Sequence, residues 1–187
     1  YLCGYKQYSL FELTRFRQAY SITPGHPECN PRLGIETTTG PLGQGIANAV
    51  GIAIANKRKN CLLQKGNVKI LDNKIYVVVG DGCLMEGISH EALSLAGHLA
   101  LDNLIILFDN NNVSIDGPTA LTCSDQIAKR MLSYNFHVIS SDGHNPEAII
   151  DAFDSIKGVK KPSFILFKTI IGFGFVKNQG SHKMHNM

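Results

Sequence analysis

At 187 residues, with 44% hydrophobic and 18% charged side chains, the chain has the make-up of one globular domain and excludes a disordered or fibrous protein. A net charge of +3, with basic residues scattered apart from a short cluster at Lys57, Arg58 and Lys59, excludes the basic stripe of a nucleic-acid binder. No apolar run approaches the ~20 residues of a membrane span, and five cysteines without Cys-x-x-Cys spacing describe reduced thiols, hence a cytoplasmic protein.

The chain starts with Tyr1 rather than Met, inside an amphipathic segment, so it is expected to be part of a longer protein. Ser9 predicts the N-cap of a helix in the opening segment, with Leu10, Leu13, Phe16 and Arg17 along it. From 21 to 39 the chain is rich in Pro, Gly, Asn and Thr without periodicity, which predicts a long, functional loop. Residues 43–57, within "GQGIANAVGIAIANKR", are small or apolar nearly all round and predict a helix buried on most sides. Strands over 75–79, 104–108, 136–139 and 163–168 then alternate with helices over 88–99, 124–133 and 146–157. That alternation predicts an α/β fold, a parallel sheet with helices on both faces.

Two polar clusters end successive strands: "GDGCLMEG" at 80–87 and "FDNNN" at 108–112. Ligands of such sheets lie beyond the carboxyl ends of the strands, and consecutive strands often neighbour each other. Asp81 and Asn111 are therefore expected to converge. Carboxylate and carboxamide are hard oxygen donors that suit Mg²⁺ or Ca²⁺. Together with a backbone carbonyl just beyond, they leave coordination places for phosphate oxygens and water. Gly82, opening a helix, offers its N–H to a phosphate with no Cβ in the way. These residues predict a magnesium-bound diphosphate, although Gly-Asp-Gly alone is also ordinary turn chemistry. "GQGIAN" and "GFGFVK" lack the third glycine of a dinucleotide loop, there is no P-loop, and His182 and His185 have no further pair to complete a zinc site.

With "TPGHPE" (23–28), "TTGPLGQG" (38–45), "SLAGHL" (94–99) and "VSIDG" (113–117) added in this order, the chain resembles the transketolase family from end to end. The resemblance implies that residues 1–187 are an incomplete diphosphate-binding, N-terminal domain, with the pyrimidine-binding and C-terminal domains elsewhere. It implies thiamine diphosphate and Mg²⁺ (or Ca²⁺) as cofactors, and sugar phosphates as donor and acceptor of a two-carbon ketol unit in the pentose phosphate pathway. A homodimer with its active site at the subunit interface follows from the same likeness, so the 187 residues alone are expected to be inactive.

By the same resemblance Asp81 and Asn111 ligate the metal through side chains and Val113 through its carbonyl. Gly82 donates to the diphosphate. Gly40, Pro41 and Leu42 meet the aminopyrimidine and thiazolium, and Ile115 adds an apolar contact. Glu86 relays to an activating glutamate of the partner subunit, while His26 and His182 face the donor sugar and the cofactor. His90, His98, His137 and His144 are assigned no site role. The chain departs from the family pattern after His185, where Asn186 and Met187 replace the usual His-Gly, and two upstream family histidines have no counterpart. Other thiamine diphosphate enzymes, such as deoxyxylulose phosphate synthase or a 2-oxoacid dehydrogenase component, share the Gly-Asp-Gly and Asn-Asn pair but not the flanking motifs. Dihydroxyacetone synthase and a non-catalytic, dimerising homologue remain as alternatives.

Overall fold

Runs of β-branched and apolar residues set the frame of the protein, seen in a computed structural model that describes residues 1–64 and 70–185. In chain order come α1 (Leu10–Thr14), α2 (Gln44–Leu63), β1 (Ile75–Gly80), α3 (Asp81–Met85), α4 (Gly87–His98) and β2 (Leu104–Asn110). A small hairpin of β3 (Val113–Ser114) and β4 (Gly117–Pro118) follows, then α5 (Ile127–Ser133), β5 (His137–Asp142), α6 (Pro146–Ser155) and β6 (Ser163–Lys168). The sheet runs β1-β2-β6-β5, parallel throughout, with β6 inserted between β2 and β5.

Alternation along β2 assigns its side chains to two cores. Leu104, Ile106 and Phe108 pack with Ile46 and Val50 of α2, Leu93 and Ala96 of α4 and Met131 of α5. Ile105 faces the other way, with Ile165, Ala152 of α6 and Phe153. Helices therefore cover both faces of a parallel sheet, as the alternation predicts. Cover on the second face thins towards β1, where Tyr76 and Val78 are exposed. Among the described residues no helix is long and apolar enough to cross a membrane.

Some expectations need correction. The first helix shrinks to α1, although Ser9 does cap it by accepting from the Glu12 N–H. Leu10, Leu13 and Phe16 find no surface to bury against, and so short a helix gains too little to continue; Arg17 and Tyr20 turn left-handed instead. The helix predicted over 43–57 runs on to Leu63 and buries one face, Ile46, Ala49, Val50 and Ala53, leaving Gly51 and Ile52 exposed. The helix expected to open at Gly82 opens at Asp81 as the short α3 and breaks before α4, and the β3–β4 hairpin, which carries no periodicity, goes unpredicted. By contrast β6 spans the predicted residues, and β1 and β2 extend one and two residues further, to the edge where the polar clusters begin.

The tightest helix contact is at Gly97 of α4, where an added Cβ would stand 1.6 Å from the Tyr134 carbonyl oxygen. Gly97→Ala should destabilise the protein by about 1–3 kcal/mol through overpacking. Gly51→Ala, with nothing within 4 Å, should stabilise α2 by about 0.5–1 kcal/mol. Urea unfolding of both variants beside the parent checks the pair; equal midpoints would refute this packing.

Candidate cofactor and metal site

The parallel register sets Gly80, the last residue of β1, beside Asp109 of β2. Asp81 opens α3 at that point. The Asn112 backbone N–H, across from β2, donates to its carboxylate, as does its own N–H. Its Oδ2 is buried and has no hydrogen-bond partner. Burial, first, and the facing Asp109 carboxylate, second, push the Asp81 carboxyl up from 3.8 to about 6.

Asn111 follows β2 and bends back on itself. Its Oδ1 accepts from the Val113 N–H at 3.0 Å, and its Nδ2 donates to Asp109 Oδ2 at 3.3 Å. Between them Asn112 has φ 58, a left-handed backbone that Asn tolerates. The side chain of Asn112 is exposed; its backbone is what reaches Asp81. Asp81 and Asn111 each stand one residue beyond a strand at the same edge of the sheet, with Val113 in the turn after Asn111, but Asp81 and Asn111 line different cavities.

The loop before α2 reaches the same place. Gly40, at φ 152, approaches His26 so closely that a Cβ would stand 3.3 Å from the imidazole carbons. A Cβ on Gly82 would lie 3.1 Å from Leu42 Cδ1, and one on Gly43 would meet Glu86 at 2.8 Å. His26, Gly40, Leu42, Gly82 and Glu86 thus form one contiguous surface over the start of α3, with Pro41 exposed on it. Ile115 sits at the tip of the hairpin, 56% exposed. His182 opens a single 3₁₀ turn, His182–Met184, in the segment after β6. No hydrogen bond or ring contact of the described residues links its side chain to Asp81, Asn111 or Gly82. Asn186 and Met187, where the chain departs from the family pattern, lie outside the described residues.

Two cavities flank the end of β2. One, of about 370 Å³, is lined by Asp81, Asn110, Asn112 and Thr119. The other, of about 480 Å³, is lined by Asp109, Asn111, Thr169 and His144. His144, assigned no site role from sequence, accepts from the Ile170 N–H at 2.8 Å and stacks on Phe173. Asp109 and Thr169 are the residues that sequence reasoning passed over. Asp109 was visible inside "FDNNN", but nothing local marks Thr169.

The donor set fits a hard divalent cation. An unpartnered buried carboxylate oxygen, a second carboxylate facing it and a neighbouring carboxamide are the conditions a cation relieves. At Gly82 the approach of Leu42 leaves a cradle that a side chain would fill.

Comparison with known proteins identifies the family. Residues 1–187 match the family described as "Transketolase, thiamine diphosphate binding domain". Transketolase 2 of Vibrio vulnificus is 52% identical over 186 residues, covering 99% of this chain and 28% of the relative. Transketolase 1 of Pasteurella multocida is 50% identical over 187 residues, again 28% of its length. Among solved structures, transketolase from Leishmania mexicana superposes with a TM-score of 0.91 at 45% identity, covering 98% of this chain and 28% of that one. That of Campylobacter jejuni gives 0.87 at 47% identity, over 94% and 27%. The chain therefore spans little more than a quarter of its relatives' length, and over all of its own it belongs to the transketolase thiamine diphosphate-binding domain family.

Proposed function

We propose that this chain supplies the diphosphate- and metal-holding part of a transketolase, which moves a two-carbon ketol unit from a ketose phosphate to an aldose phosphate. The observation that carries this reading is the buried, unpartnered Asp81 Oδ2 facing Asp109 at the carboxyl end of the sheet, in a chain of this family. Relatives from Pichia stipitis solved in complex with xylulose-5-phosphate and sedoheptulose-7-phosphate support sugar phosphates as substrates. A homodimeric, cytoplasmic enzyme of the pentose phosphate pathway is the corresponding setting.

Asp81 and Asn111 would hold Mg²⁺ (or Ca²⁺) through their side chains and Val113 through its carbonyl, leaving places for phosphate oxygens. Gly82 presents its N–H to the diphosphate from the start of α3. Gly40 and Pro41 present backbone to the aminopyrimidine, and Leu42 and Ile115 give apolar contacts to the thiazolium. Thiamine diphosphate, when bound, supplies the carbanion-stabilising chemistry. Glu86, packed against Gly43, would relay to the cofactor-activating glutamate of the partner subunit. His26, beside Gly40, faces the donor sugar, where an imidazole can donate a hydrogen bond or move a proton. His182 comes to the cofactor from the segment after β6.

Three outcomes follow for the longer protein that contains this chain. Asp81→Ala should abolish Mg²⁺-dependent binding of thiamine diphosphate, because the diphosphate loses the charged ligand of its counter-ion. Calorimetric titration of cofactor with and without Mg²⁺ decides this; an unchanged, metal-dependent affinity would sink the metal site.

The second concerns pH. Only the carboxylate form of Asp81 ligates a cation, and the folded carboxyl titrates at about 6. Above that pH the metal meets a carboxylate; below it, a proton must leave first. Apparent Mg²⁺ affinity should approach a tenfold loss per pH unit below about 6. In the metal-free protein the sign is opposite: the raised value withdraws stability as pH climbs from about 4 through about 6. A pH series of Mg²⁺ titrations that stays flat from 7 to 5 contradicts this.

For the third, His26→Ala should lower kcat and raise the donor KM while cofactor affinity stays within about threefold, the pattern of a contact strengthened in the transition state. Steady-state kinetics beside cofactor titration test it; a tenfold loss of cofactor affinity with normal donor kinetics reassigns His26 to the cofactor.

A further inference from the structure

Asp109 is a second carboxylate at the metal site, and nothing in the assigned ligand set uses it. It lies half-buried near the end of β2, facing the cavity on the α6 side. Its Oδ2 accepts from Asn111 Nδ2 at 3.3 Å, and its Oδ1 accepts from the Thr169 hydroxyl. Thr169 follows β6, and its backbone N–H donates to the Asn110 carbonyl at 3.3 Å. The threonine thus grips β2 twice, once through the main chain and once through the Asp109 carboxylate.

The chemistry of these groups decides which way the Asn111 amide turns. An ionised carboxylate only accepts, so the amide atom that faces Asp109 must be Nδ2. The Oδ1 is then directed to the opposite side, where it accepts from the Val113 N–H. A hard cation takes a carboxamide through its oxygen and not its nitrogen. Replacing Asp109 by a group that both donates and accepts would let either amide orientation form. Replacing Thr169 by a residue without a hydroxyl would leave Asp109 Oδ1 unheld and free the carboxylate to turn.

We propose that Asp109, locked by Thr169, is the positioning residue that turns the Asn111 carboxamide oxygen toward the divalent cation, making strand β6 a part of the metal site. This rests on the reading of Asp81 and Asn111 as metal ligands. Outer partners that orient a ligand change metal affinity by roughly 10–100-fold when removed, which sets the size of the effect.

The test uses the longer protein that contains this chain, titrated with Mg²⁺ at saturating thiamine diphosphate and followed by cofactor binding. Asp109→Asn should weaken apparent Mg²⁺ affinity at least tenfold. Thr169→Val keeps both carboxylates charged, so a several-fold weakening there cannot come from lost charge, and Thr169→Ser should restore the parental value. Turnover lost in either weakened variant should return as Mg²⁺ is raised, whereas a merely structural defect would lower it at every Mg²⁺ concentration. Parental Mg²⁺ affinity in Asp109→Asn and Thr169→Val, with Asp81→Ala still deficient, overturns the positioning role alone. Unchanged affinity in Asp81→Ala overturns the metal site and the positioning role with it. Should Asp109→Asn fail to fold, the Thr169→Val and Thr169→Ser pair decides: a loss rescued by serine supports the role, and no loss refutes it.

Discussion

Two carboxylates, Asp81 and Asp109, lie within electrostatic reach of each other where two parallel strands end, and much of what surrounds them answers that fact. The register of β1 on β2 sets Gly80 beside Asp109, and the next residue, Asp81, opens a helix at the same level. Half-buried like charges repel, and one oxygen of Asp81 has lost water without gaining a partner. The metal-free fold relieves this in part by holding on to a proton and by the Asn112 N–H. A divalent cation bound there would relieve it further. The arrangement costs stability at neutral pH without metal, as expected of a binding site and not of a structural ion pair.

Such a pair is useful only if it is held still, and the scaffold does so from several sides. At the far end of α3, Arg130 Nη2 donates to the Leu84 carbonyl at 2.8 Å, while Arg130 also pairs with Asp125 and meets His90. The Ser89 hydroxyl donates to the Cys83 carbonyl, joining α4 back to α3. On the other side the loop before α2 closes over Gly82 through Leu42, made possible by Gly43 at φ 79 as the N-cap of α2. A side chain at Gly43 would collide with Glu86, Ile88 and Ser89. These contacts bring the loop before α2, the start of α3 and the ends of β1 and β2 into one body, so that rigid elements carry the candidate site.

What lay open in the sequence was whatever depends on near neighbours. The run 163–168, apolar over Phe164–Phe167, became β6 over the same residues, because a short apolar run of β-formers fits a strand covered on both faces of the sheet. Asp81 and Asn111 were recognisable because each stands one residue beyond a strand, where the alternation of strand and helix already directs ligands. Five motifs in order then pointed to the family that the comparison shows. Periodicity misled where burial was lacking: α1 stops after a single turn because its apolar stripe meets no surface, and α2 buries only one side of a helix apolar nearly all round.

Tertiary structure alone decided the rest. Asp109 and Thr169 stand sixty residues apart, and no spacing rule connects them. They meet because β6 inserts between β2 and β5, a strand order that follows from crossover geometry and shared core packing rather than from any local pattern. The same holds for the approach of Leu42 to Gly82 and of His26 to Gly40, which join a loop to elements far along the chain. The chain by itself determined which groups carry charge, which offer oxygen and at which strand ends they stand. Which of them are buried and which face each other, and hence the raised Asp81 carboxyl and the set direction of the Asn111 amide, came only from folding, because desolvation, electrostatic and hydrogen-bond interactions act through space over a few ångströms and not along the sequence.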